Sequence, residues 1–151
     1  MINWYVYYNY INSKYNEKFL NCPISFNKLY DNISEFKSLI LELKMIFNRL
    51  RPFQSASVEN INIKTYISYA GQTPALPSGH SLQGFLFGGF IYLYFSKYYE
   101  SLDINQFNEE INLLVDVSKE TGDRRVMAGV HYPSDVIASW VIFCCIIITY
   151  K

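Results

Sequence analysis

The sequence predicts an all-α fold, a compact helical bundle, and three observations carry that prediction. Apolar residues recur at spacings of three and four over 33–50 and again over 107–118. Two nearly uncharged apolar runs, Leu82–Phe95 and Val136–Tyr150, are 14 and 15 residues long. No stretch shows the apolar–polar alternation of a half-buried strand. With 151 residues, the chain fits a single domain, 1–151. It divides into an aromatic-rich segment, 1–32, and a core, 33–151.

Residues 1–30 are rich in Tyr and Asn without clean periodicity. Trp4, Tyr5, Tyr7, Tyr8 and Tyr10 read most simply as cover for a core or a subunit contact. Over 33–50 the series Ile33, Phe36, Ile40, Leu43, Phe47 and Leu50 makes one continuous stripe. Asn32 is its expected N-cap, with Glu35 three positions on in a capping-box arrangement. Pro52 is expected to end the helix, because the residue before a proline is pushed out of the α region. Residues 53–76 read as loop. Pro77-Ser78-Gly79-His80 opens the next helix, which runs to about Lys97. A polar turn at Glu100–Asp103 leads to an amphipathic helix over Asn105–Glu120. Its stripe is Phe107, Ile111, Leu114, Val115 and Ser118, and it is expected to break near Gly122. The last helix starts at Tyr132–Pro133, where proline suits a first turn.

Composition excludes several function classes. Half the residues are hydrophobic and 17% charged, which is too apolar for intrinsic disorder. Lys+Arg and Asp+Glu both number 13, so there is no basic excess to meet a phosphate backbone and nucleic acid is not an expected partner. The two apolar runs fall short of the roughly 20 residues of a spanning helix. They favour a soluble domain, with peripheral or integral membrane association as the alternative. The start MINWYVYYNY lacks the parts of a signal peptide. Cys22, Cys144 and Cys145 do not suit a disulfide set, and the adjacent Cys144 and Cys145 read as small core residues, so a reducing, intracellular compartment is expected. With two histidines and no Cys or His at ligand spacing, no zinc site is expected.

The scarce functional residues fall in three patches. All four arginines and both histidines lie in or beside Lys44–Pro52, Pro77–His80 and Arg124–Asp135. On a continuous helix Lys44 and Arg51, about two turns apart, point the same way and suit an anion held by two prongs. Gly79 lets backbone approach a ligand, the helix start offers free N–H groups, and the Ser78 hydroxyl adds a donor. His80 beside them can transfer a proton near neutral pH. Asp135, one turn beyond His131, can accept from one imidazole nitrogen, fix the tautomer and leave the other nitrogen as a nucleophile. Taken singly, each patch also reads as ordinary chemistry: cations at a helix C-terminus, a Pro-Ser helix cap, a surface His–Asp pair.

Taken in order, Lys44-x6-Arg51-Pro52, Pro77-Ser78-Gly79-His80 and Arg125-x5-His131-x3-Asp135 resemble the three-part signature of the type 2 phosphatidic acid phosphatase/vanadium haloperoxidase superfamily. PSGHSLQGF and RRVMAGVHYPSDV look closest to its soluble bacterial acid phosphatase branch. The resemblance implies a helical bundle of that type and a metal-independent phosphomonoesterase acting on a phosphate monoester through a phosphohistidine. It gives His131 as nucleophile, Asp135 as its orienting carboxylate and His80 as general acid. Lys44, Arg51, Arg125, Ser78 and Gly79 are the implied phosphate-binding groups. No cofactor is implied for a phosphatase, and vanadate is an inhibitor there. In the alternative reading, a vanadium haloperoxidase, vanadate is the cofactor. A non-catalytic binding or membrane-associated homologue is the third reading. The chain departs from the pattern at Arg124, where the family usually has Ser. The stretch before Lys44 is short beside soluble relatives, so part of the usual helical shell is expected to be absent or to come from a second subunit, as in a homodimer.

Overall fold

A computed structural model describes residues 26–65, 69–98 and 108–150. Among them six α-helices form: α1 Phe26–Ser34, α2 Lys37–Phe47, α3 Pro52–Val58, α4 Gly79–Tyr98, α5 Asn108–Met127 and α6 Pro133–Thr149, with a 3-10 turn at Tyr69–Gln72. No strand occurs among these residues, so the fold is all-α. The aromatic N-terminal segment and the Glu100–Asp103 turn lie outside the described residues.

Helix α4 is the centre of the bundle. It packs against α1, α5 and α6, and α5 in turn meets α6. Leu82, Phe85, Leu86, Phe87, Phe90 and Ile91 are all buried, so α4 is apolar on nearly every side, as a central helix must be. Leu29 and Ile33 of α1, Ile40 of α2 and Ile146 of α6 close the core around it. Phe85 meets the Trp140 ring edge-on at 5.1 Å, which ties α4 to α6. No helix of the described residues is long and apolar enough to cross a membrane.

Five local expectations are corrected. The helix expected over 33–50 is two helices, broken at Glu35–Phe36, and Asn32 lies inside α1 instead of capping it. At the break the Ser34 hydroxyl competes for a backbone acceptor, donating to the Asp31 carbonyl at 2.8 Å. Helix α2 ends at Phe47, before the proline takes effect, because Asn48 adopts the left-handed conformation (φ 41°, ψ 40°) and its N–H donates to the Lys44 carbonyl.

Pro52 therefore begins a helix instead of ending one. It sits in the first turn of α3, and the Gln54 side chain accepts from the Arg51 N–H at 2.8 Å. At seven residues this helix is too short to show periodicity, so the expected loop over 53–76 contains most of a helix that its sequence does not mark. Gly122 lies within α5. A Cβ there would stand 2.5 Å from Val136 Cγ1, so this glycine serves close contact between α5 and α6, not termination. Two smaller expectations also shift. Cys145 is exposed and Cys144 half-buried, so neither is a core residue, and Val115 faces outward.

Candidate active site

The three patches converge at one end of the bundle. Helices α4 and α6 begin side by side there: the Ser78 N–H donates to the Asp135 carbonyl at 3.2 Å, and the Ser139 hydroxyl donates to the Ser78 carbonyl at 2.9 Å. Two helix N-termini thus point their free N–H groups and positive dipole ends into one region. The end of α2, the segment between α2 and α3, and the end of α5 add the cations.

Lys44 and Arg51 meet there, but not as two rungs of one helix. Lys44 lies in the last turn of α2, while Arg51 lies beyond it on extended backbone (φ −77°, ψ 157°). Long-range bonds bring them together. Lys44 Nζ donates to the carbonyls of Pro74 and Ala75. Arg51 Nε donates to the Thr73 carbonyl at 2.8 Å and its Nη1 to the Val130 carbonyl at 2.8 Å. Both side chains are buried. Burial, then the neighbouring Arg51 and Arg125, lower Lys44 to about 8, against the pull of Asp135, so it is still mostly cationic at neutral pH.

His131 is held between an acceptor and a donor. Its Nδ1 lies 3.1 Å from Asp135 Oδ2, and its Nε2 lies 3.3 Å from Arg51 Nη1. A carboxylate only accepts and a guanidinium only donates. Nδ1 must then carry the proton, and Nε2 must present its lone pair. Burial, helped by Arg51 and Lys44, holds His131 below the usual imidazole range against the opposing bond to Asp135. A neutral imidazole with a fixed tautomer results. Asp135 is 0% exposed, and burial favours its neutral form. The bonds from His131 and the Tyr132 N–H (2.9 Å) and the charge of Arg49 outweigh that and keep it ionised.

Ser78 is fully buried as the residue before α4, and its Oγ accepts from the Ser81 hydroxyl at 2.7 Å. That leaves the Ser78 proton to donate elsewhere. A Cβ on Gly79 would meet Ile40 at 3.4 Å, an ordinary contact, so protein packing alone does not demand glycine here. His80 is half-buried and lowered to about 4, by burial first and then by Arg125, His131, Arg51 and Lys44. All five groups therefore share one electrostatic environment. Arg125 Nε and Nη2 are buried with no hydrogen-bond partner among the described residues. Buried donors of this kind are rare unless a ligand completes them.

A family model for the PAP2 superfamily matches residues 33–151. The chain belongs to the PAP2 superfamily. Neither curated proteins nor solved structures returned a match. PAP2 membership supports a phosphatase-type activity in general.

In this PAP2 chain the departure at Arg124 does not reach the cluster. Arg124 is 59% exposed and pairs with Glu120 one turn back on α5. Sequence reasoning missed a different residue. Arg49 Nη1 donates to Asp135 Oδ1 at 2.9 Å and to Ser134 Oγ at 2.7 Å. On a continuous helix residues 49 and 51 point roughly 200° apart, so only one could face the site. Being one of only four arginines, and beside Arg51, was the available signal. A separate apolar cavity of about 510 Å³ lies between α4, α5 and α6, lined by Phe85, Tyr92, Val136, Trp140 and Phe143 among others. None of the eight expected site residues lines it.

Proposed function

We propose that the protein is a metal-independent phosphomonoesterase that works through a phosphohistidine on His131, with His80 as general acid. The observation that carries this reading is the pair of contacts on His131, which present Nε2 as a buried, neutral lone pair beside a cationic cluster. Phosphoryl transfer asks little of a protein beyond positioning and positive charge around the equatorial oxygens. Lys44, Arg51 and Arg125 supply that charge, and the Ser78 hydroxyl and the N–H groups at the start of α4 add donors. The unpartnered Nε and Nη2 of Arg125 suit a tetrahedral oxyanion, phosphate or vanadate alike.

In the first step Arg51 Nη1 transfers its hydrogen bond from Nε2 to a phosphoryl oxygen, and the freed Nε2 lone pair attacks phosphorus. The P–N bond forms, the ester P–O bond breaks, and its electron pair leaves with the alcohol oxygen, which takes the His80 proton. In the second step water attacks the phosphohistidine. His80, now neutral, takes the water proton, the P–N bond breaks, and inorganic phosphate departs with His131 restored. Burial, and then the surrounding cations, keep His80 unprotonated at neutral pH. A bound phosphate dianion offsets those cations, so the acid proton is acquired with the substrate, and turnover is fastest on the acid side of neutrality.

The test is hydrolysis of p-nitrophenyl phosphate and of a lipid phosphate side by side, with and without EDTA and vanadate. The expected result is EDTA-resistant, vanadate-sensitive turnover that disappears in His131→Ala. Wild-type turnover in that variant refutes the nucleophile. Bromide oxidation by peroxide after vanadate loading, without phosphate release, would favour the haloperoxidase reading instead.

A further inference from the structure

Resting on the reading of His131 as nucleophile, we propose that Arg49 is a positioning residue: clamped on the Asp135 oxygen that faces away from His131, it fixes the carboxylate that sets the His131 tautomer. Both other donors to Asp135, His131 Nδ1 and the Tyr132 N–H, fall on the same oxygen, Oδ2. Two donors on one oxygen leave the carboxylate plane free to turn, because the terminal torsion of Asp is broad. The contact from Arg49 Nη1 to Oδ1 at 2.9 Å holds the second oxygen.

Arg49 is 36% exposed, and an ion pair at such a position is ordinarily weak. Here the guanidinium is braced from several elements. Its Nη1 also donates to Ser134 Oγ at the start of α6. Its Cζ lies 4.2 Å over the Tyr132 ring, a cation–π distance. The Tyr132 hydroxyl donates to Ser55 Oγ of α3 at 2.9 Å, which steadies that ring. The Arg49 carbonyl accepts from the Ala75 N–H at 2.8 Å, which ties down its backbone. A cation held this firmly against a fully buried carboxylate is built into the site.

Charge gives the proposal its second consequence. The groups around His131 are Asp135 on α6, Lys44 on α2, Arg51 between α2 and α3, and His80 on α4, with Arg125 on α5 completing the cluster. Asp135 is the one anion named among them, and Arg49 shares its charge from the outer side. Remove Arg49 and the carboxylate acts on His131 undivided, so the imidazole holds its proton to higher pH. Since His131 must be neutral to attack, the acid limb of the rate profile then moves up in pH.

The experiment compares wild type, Arg49→Met and Arg49→Lys in the full chain. Steady-state kinetics on p-nitrophenyl phosphate across pH should show kcat reduced on the order of 10–100-fold in Arg49→Met, as for a small misplacement of a reacting group. KM should be unchanged, and the acid limb should move to higher pH. Lysine keeps the charge but loses the fork, so Arg49→Lys should restore the acid limb and only part of kcat. Nitrogen NMR of His131 reads the same linkage without turnover: Nδ1–H alone in wild type, mixed tautomers and a higher titration midpoint in Arg49→Met.

An unchanged tautomer and midpoint in Arg49→Met overturn the proposal, as does a raised KM with kcat intact, which would make Arg49 a phosphate ligand. If wild type shows no turnover yet the NMR response appears, the positioning role stands and the phosphatase reading falls. Should Arg49→Met not fold, Arg49→Lys decides alone, and wild-type kcat in it overturns the proposal.

Discussion

Asp135→Asn tests how much of the chemistry depends on one buried carboxylate. Three donors converge on Asp135: Arg49 on Oδ1, and His131 Nδ1 and the Tyr132 N–H on Oδ2. An amide has a single acceptor oxygen, so it cannot serve both sides. If that oxygen faces His131, the amide NH2 points at the Arg49 cation. If it faces Arg49, the NH2 meets the Tyr132 N–H, and His131 must turn its lone pair inward and lose the nucleophile. Either arrangement strands a buried donor, at about 1–3 kcal/mol of stability. The second also imposes the wrong tautomer. In the serine-protease triad the equivalent change lowers kcat by about 10⁴. A loss of roughly 10³–10⁴ is therefore expected here, about 4–5.5 kcal/mol on the barrier at about 1.36 kcal/mol per tenfold. KM should change little, because the Asp135 side chain bonds Arg49, His131 and the Tyr132 N–H and none of the proposed phosphate-binding groups. The assay is kcat and KM on p-nitrophenyl phosphate beside urea denaturation of the same samples. A folded Asp135→Asn variant within tenfold of wild-type kcat would refute the tautomer argument.

Gly122→Ala sets two effects against each other. Alanine gains about 1 kcal/mol of helix propensity over glycine, but its Cβ would lie 2.5 Å from Val136 Cγ1, and overpacking costs about 1–3 kcal/mol. Net destabilisation in chemical denaturation is expected, and a more stable variant would contradict the close α5–α6 contact. His80 also links stability to pH. Its folded value of about 4 lies below the ordinary 6.5, so as pH falls from 6.5 the unfolded chain takes up the proton first and stability declines towards pH 4. His80→Gln should flatten the difference in urea midpoint between pH 7 and pH 4.5, and an unaltered difference would show that His80 is not held neutral. Arg124→Ala removes an exposed pair with Glu120, so denaturation should shift by less than about 0.5 kcal/mol and kcat/KM should hold. A large loss of kcat/KM would bring Arg124 back into the site.

The central elements could be read from the sequence because they rest on local signals. The apolar run after Pro77-Ser78-Gly79-His80 and the proline at the start of α6 mark their helices without reference to the rest of the chain. The spacing of His131 and Asp135 was enough to expect their contact, since four residues around a helix start lie within reach of each other. Where the reading failed, neighbours elsewhere in the chain decided. Nothing near Gly122 in sequence indicates that Val136 fills the space a side chain would need. The left-handed turn at Asn48 moves Arg49 and Arg51 off the helix, and it cannot be read from a stripe that continues through Leu50.

The sequence by itself determined the helical class, the order of the motifs and the identity of the two imidazoles, because periodicity and residue chemistry are properties of short segments. Only the tertiary structure decided where each cation sits and what it meets. Lys44 and Arg51 gather beside His131, Arg125 presents buried donors without partners, Arg124 turns to solvent, and Arg49 holds the far side of Asp135. Four arginines are chemically alike in a sequence. They differ here because burial and the donors and acceptors brought from distant segments differ at each position.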